Sequence, residues 1–129
     1  MEYKKGTITR KKGTRFKDNG QIDPRPNGHP VMIPLASDDI SMSTYYLMID
    51  SHPEKYVRFG NAYYTIEDWE DVHLEMPSVV NLKTIYKDHV NEKVLGGFPP
   101  RSYKDVIRAF KEYQEEHPDE YYEEIKSKL

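Results

Sequence analysis

The sequence predicts an α+β fold, mainly β: a small, strongly bent antiparallel sheet or barrel with helices at its carboxy-terminal end. Three observations lead there. Short apolar runs of strand length fill residues 3–86, Gly, Pro and Asn punctuate them, and after Gly96-Gly97-Phe98-Pro99-Pro100 the spacing becomes helical. The length suits a single domain over 1–129, with a barrel in 1–98 that carries a mobile loop at 11–30, and a helical segment in 99–129.

Tyr3 to Arg10 alternates weakly and reads as the first strand. The following stretch, KKGTRFKDNGQIDPRPNGHP, holds three glycines, three prolines and two Asn-Gly pairs, which predicts a long basic loop rather than regular structure. Val31 to Ala36 is apolar, and Pro34 inside it argues for a bulge or an edge. Thr44 to Ile49, "TYYLMI", suits a buried strand. Tyr56–Phe59 and Ala62–Ile66 flank Gly60-Asn61 as a hairpin would, and Pro77–Tyr86 is β-branched enough to favour a strand with Val79 or Val80 and Leu82 inward. Gly96-Gly97 reads as a plain turn. Ser102 is the expected N-cap of a helix that turns Val106, Ile107, Phe110 and Tyr113 to one side and ends near Glu116. Pro118 then opens a second short helix with Tyr121, Tyr122 and Ile125 as its apolar side.

Composition narrows the chemistry. There is no cysteine, which removes disulfides, thiolate nucleophiles and cysteine-ligated zinc. No window approaches the roughly 18 apolar residues of a membrane span, so the expectation is a soluble, cytoplasmic protein. Residues 1–25 carry eight Lys or Arg against three acids, whereas residues 111–129 carry three Lys against seven acids. A basic amino-terminal arm is what phosphate binding needs, and is also ordinary solvated surface.

Walker loops, G-x-G-x-x-G and G-x-S-x-G are absent, and the histidines at 29, 52, 73, 89 and 117 nominate no metal site. His29 and His52 stand out because each lies at the end of an apolar strand, and an antiparallel pair brings such ends together. The second strand exits through Asp50-Ser51-His52-Pro53-Glu54-Lys55, which gathers a carboxylate, a hydroxyl, an imidazole and an ammonium within six residues. Cleavage of RNA by its 2'-hydroxyl needs a base, an acid and a cation beside the phosphate. Imidazole suits the first two roles near neutral pH, although His-Pro is also common turn material. The tyrosines at 45, 46, 63 and 64 suit packing more than base stacking.

The order Gly6-Thr7-Ile8, basic loop, "GHPVMIPL", "YYLMIDS", "PSVVNLKTIYKDHV" and "VLGGFPPRSYKDVIRAF" resembles that of the MazF/PemK toxins and, more loosely, the ToxN/AbiQ toxins, over about residues 6–115. The resemblance implies a small SH3-like antiparallel barrel. It further implies a metal-independent endoribonuclease that cuts single-stranded RNA, uses no cofactor, forms a homodimer and is held in check by a protein or RNA antitoxin. Where the family places Arg before Pro, this chain has His29; where it places Thr or Ser at the end of the next strand, this chain has Asp50 or Ser51. The catalytic set on this reading is His29, Asp50, Ser51 and His52, with Lys55, Arg15, Lys17 and Arg25 for RNA phosphates. The competing expectation is a non-catalytic barrel that binds RNA or protein, either a degenerate toxin relative or a phage or plasmid adaptor.

Overall fold

The computed structural model describes residues 2–37 and 43–129. They form a curled antiparallel sheet, open at both edges, with two helices packed onto one face. The strands are β1 (Thr7–Lys11), β2 (His29–Ile33), β3 (Thr44–Ser51), β4 (Tyr63–Ile66), β5 (Ser78–Asn81), β6 (Tyr86–Asp88) and β7 (Gly96–Gly97), followed by α1 (Pro100–Glu116) and α2 (Tyr122–Ile125). Six of them run in the order β4-β5-β3-β2-β1-β7, and β6 pairs separately with β3. The mainly-β, α+β expectation is met at this level.

β3 organises the sheet because it is long enough to hold three partners. Its first residues pair with β6 (Tyr46↔Tyr86), its middle with β2 (Val31↔Met48) and its end with β5 (Asp50↔Val79). Successive side chains point to opposite faces of a strand. Leu47 and Ile49 therefore join Ile8, Met32 and Val80 in the larger core, which α1 and α2 complete with Val106, Ile107, Phe110, Tyr122 and Ile125. Each such side chain removed from water contributes about 1.5–3 kcal/mol. Tyr46 and Met48 face the other way, into a smaller cluster with Tyr3, Val31, Ile33 and Val90.

Several elements differ from expectation. Tyr56–Phe59 is not a strand: two 3-10 segments, Pro53–Lys55 and Val57–Ala62, occupy the region, because Pro53 suits a first helical turn and Gly60 bends the chain at φ 59°. Among the described residues, β4 pairs with β5 alone. The strand over Pro77–Tyr86 divides into β5 and β6, with Val80 and Leu82 inward. β2 starts two residues early and stops before Pro34, so it lies centrally between β1 and β3 rather than at an edge. Gly96-Gly97 is a strand paired with β1, and a Cβ on Gly96 would lie 2.5 Å from the Val72 carbonyl oxygen. α1 begins at Pro100, and Ser102, instead of capping it, donates to Asp68 at 2.8 Å. α2 begins at Tyr122, since Asp119 is engaged by the backbone N–H groups of Ile85 and Tyr121.

The long loop folds back on itself: Arg15 and Ile22 make an antiparallel bridge, and Asp23 N–H donates to Thr14 O at 2.8 Å. Thr14 and Asp23 are both buried. Among the described residues, no helix is long and apolar enough to cross a membrane.

Candidate functional site

The site begins with register. Val31 stands opposite Met48, so two residues further along the same face His29 meets Asp50, with Nε2 3.1 Å from the carboxylate Oδ1. The turn that delivers His29 needs glycine. Gly28 has φ +78°, and a Cβ there would sit 2.9 Å from the Lys11 carbonyl oxygen. Arg10 secures this corner by donating to Gly28 O at 3.3 Å.

Behind the imidazole lies a second carboxylate. The Asp23 side chain is fully buried; its Oδ1 accepts from the Arg25 backbone N–H at 3.1 Å and from the guanidinium at 3.2 Å. Its Oδ2 is 3.6 Å from His29 Nδ1, beyond hydrogen-bond reach. These two atoms are buried without a hydrogen-bond partner among the described residues. His29 is thus held between carboxylates and is only 5% exposed.

A cleft of about 520 Å³ opens beside this pair, with Asp50, Ser51 and His52 from the exit of β3 on one wall. Arg10, Arg25 and Lys55 bring three permanent cations to it, against the carboxylates of Asp50 and Glu75. His52 and His73 also line it, both with left-handed backbone, φ 64° and 67°. Non-glycine residues seldom adopt that conformation, and such strain tends to gather at functional sites. His52 is half exposed, with Nδ1 3.5 Å from Glu54. Burial, and secondarily the Asp50 carboxylate, push the Tyr56 phenol up, so its hydroxyl remains a donor at neutral pH.

Of the residues singled out from sequence, His29, Asp50, Ser51, His52, Lys55 and Arg25 meet at this cleft, and Arg15 and Lys17 do not. Arg15 donates to Gly20 O at 2.7 Å within its own loop. Lys17 reaches the carboxy-terminal segment, 2.7 Å from Ile85 O, 3.4 Å from Asp119 and 3.1 Å from Glu120, over the Tyr121 ring. Of the paired tyrosines, Tyr46 is core, Tyr45 packs against Tyr121, and Tyr63 and Tyr64 are half buried. Sequence reasoning passed over Arg10, His73 and Tyr56. Arg10 was detectable in principle, because an antiparallel β1–β2 pair sets it opposite Pro30; no local pattern marks His73.

Acid–base work on a phosphodiester fits this arrangement: a positioned carboxylate, a solvent-facing imidazole and cations to receive charge. Among the described residues, no group of three or more His, Asp or Glu side chains is placed to hold a metal ion. A scan against protein-family models finds no match to this chain, and a search of curated proteins finds none.

Proposed function

We propose that this chain is a metal-independent endoribonuclease of the MazF/PemK type, more loosely like ToxN/AbiQ, built on an SH3-like barrel. On this reading it works in the cytoplasm as a homodimer restrained by a protein or RNA antitoxin. The observation that carries the reading is convergence: Arg25, His29, Asp50, Ser51, His52 and Lys55, from separate parts of the chain, line one cleft.

Within that reading, the geometry supports the following roles. Both ring nitrogens of His29 face carboxylates, so His29 positions Asp50 rather than meeting RNA itself. Asp50 takes the proton of a 2'-hydroxyl, whose oxygen attacks phosphorus. The bond from phosphorus to the 5'-oxygen breaks, protonated His52 supplies the proton to that oxygen, and a 2',3'-cyclic phosphate remains. Arg25 and Lys55 stabilise the charge that builds on the phosphoryl oxygens, and the Ser51 hydroxyl bonds to one of them.

The test is incubation of purified protein with single-stranded RNA in excess chelator, followed by end-group analysis. The wild type should leave cyclic or 3'-phosphate ends, and Asp50→Asn or His52→Ala should slow cleavage by about 10²–10⁴-fold. Intact RNA would sink the nuclease. The burial of His29 favours one other reading, a barrel that binds RNA or protein without cutting it; RNA retarded yet intact at low salt would select that one.

A further inference from the structure

On the far side of Asp50 lies a second hollow, of about 260 Å³, and Asp50 and Tyr56 line both it and the cleft. Its rim is aromatic. Tyr56 and Tyr63, which line it, have ring centroids 4.5 Å apart, and Phe59, which does not line it, sits beside them 5.8 Å from Tyr63 and 6.4 Å from Tyr56, the rings tilted 38–50° to one another. The chain builds this shelf from the 3-10 segment after the cleft, where Gly60 turns it back into β4.

The shelf is not core. Phe59 is 43% exposed and Val57 77%, a cost that no packing in the two buried clusters explains. Cations surround the rings: the Arg58 guanidinium lies 4.8 Å from the Phe59 ring centre, and Lys83 Nζ 5.3 Å from that of Tyr63 and 5.6 Å from that of Phe59. Polar groups stand within the hollow beside Tyr63. Asn81 spends its amide oxygen on Lys83 N–H at 2.9 Å, which leaves its NH₂ as a donor, and Thr84 adds a hydroxyl.

We propose that this hollow is a nucleobase subsite, holding the base of a nucleotide adjacent to the phosphate in the cleft, stacked against Tyr63 with the Phe59 ring closing its outer edge. A partly exposed aromatic ring, flanking cations and an edge donor are groups that a base on an anionic backbone uses, and an apolar protein segment would gain nothing from Arg58 and Lys83. The shared wall at Asp50 and Tyr56 makes the hollow and the cleft immediate neighbours, as the base and phosphate of one strand would require. The subsite rests on the reading of the cleft as an RNA site and deepens it by assigning where specificity arises.

The test uses a single-stranded RNA oligonucleotide made uncleavable by 2'-O-methyl groups, and a series in which one nucleotide at a time is abasic, with binding followed by fluorescence anisotropy. Phe59→Ala, at a position outside both buried clusters, should weaken binding of the intact oligonucleotide roughly tenfold. Against one member of the abasic series it should cause no further loss, and Phe59→Trp should restore affinity. An equal loss on every oligonucleotide, or none on any, would overturn the subsite. If the wild type binds and shows this pattern but never cuts RNA, the nuclease falls and the subsite stands; cutting without the pattern leaves the nuclease and removes the subsite. Absence of any binding removes both, and tight capture of an apolar peptide instead of the oligonucleotide would make the shelf a protein contact.

Discussion

His29 and Asp50 face each other across the β2–β3 ladder, imidazole Nε2 3.1 Å from carboxylate Oδ1, with Asp23 3.6 Å behind the ring. Strand alternation makes this the polar end of an otherwise apolar row formed by Val31, Ile33, Tyr46 and Met48. The pair is structural and chemical together. His29→Ala would remove the hydrogen bond to Asp50 and empty a buried position, at a cost of about 1–3 kcal/mol. Urea denaturation should show that loss, and His29→Gln, which keeps a donor, should recover part of it. A fully stable His29→Ala would mean that the pair contributes little to folding.

Arg25 and Lys17 belong to the same loop and should separate in their effects. Arg25 lines the cleft with a half-exposed side chain, whereas Lys17 bonds Ile85 O and Asp119. Arg25→Ala should weaken RNA binding and reduce its log–log salt slope by about one. Lys17→Ala should leave RNA affinity unchanged while lowering stability by about 0.5–1.5 kcal/mol. Parallel binding titrations at several salt concentrations, alongside denaturation, check both halves.

Gly28 controls how the loop hands the chain to β2. Alanine at φ +78° costs about 1–2 kcal/mol in backbone strain alone. The contact with Lys11 O adds to it, so Gly28→Ala should lose more than Gly13→Ala, where a Cβ meets nothing within 4 Å although φ is +69°. The difference in unfolding free energy between the two variants isolates the close approach from the strain.

Gln114 ties the helices to the sheet. Its side chain is fully buried, donating to Leu82 O and accepting from Asp119 N–H, each at 2.7 Å. Gln114→Leu fills the space but orphans a carbonyl and an N–H, at about 1–3 kcal/mol for each buried group. Hydrogen exchange should quicken first at Asp119 and in α2; unchanged protection there would refute the latch.

Alkali should unfold the protein partly through Tyr46. Burial pushes its phenol up to about 12, only partly offset by the 3.0 Å bond with Thr14. The unfolded chain ionises near its ordinary value of 10 while the folded phenol stays neutral, so this contribution is whole below pH 10 and lost as pH rises to about 12. Tyr46→Phe should flatten the stability profile across that window. Profiles that stay parallel through it would exclude Tyr46 as a cause.

Much of this was legible in the chain. "TYYLMI" is a buried strand, Val106, Ile107 and Phe110 do form one buried helix face, and six of eight nominated site residues share a cleft. Elements in which many neighbouring residues repeat one pattern are specified locally, and so could be read. The aromatic shelf was not, since Tyr56–Phe59 has strand composition and becomes helical only because Pro53 and Gly60 bend the chain around it.

What the sequence by itself determined is therefore the mainly-β order of elements, the helical end, and His29 with Asp50 to His52 as strand-end chemistry. Tertiary structure alone decided which of them meet. A slip of one residue in the β2–β3 register exchanges every side chain between the two faces, and no local propensity encodes that choice. Packing of the two clusters on opposite faces of β3 does: it sends Leu47 and Ile49 to one core and Tyr46 and Met48 to the other. Asp50, rather than Ser51 or His52, consequently falls opposite His29.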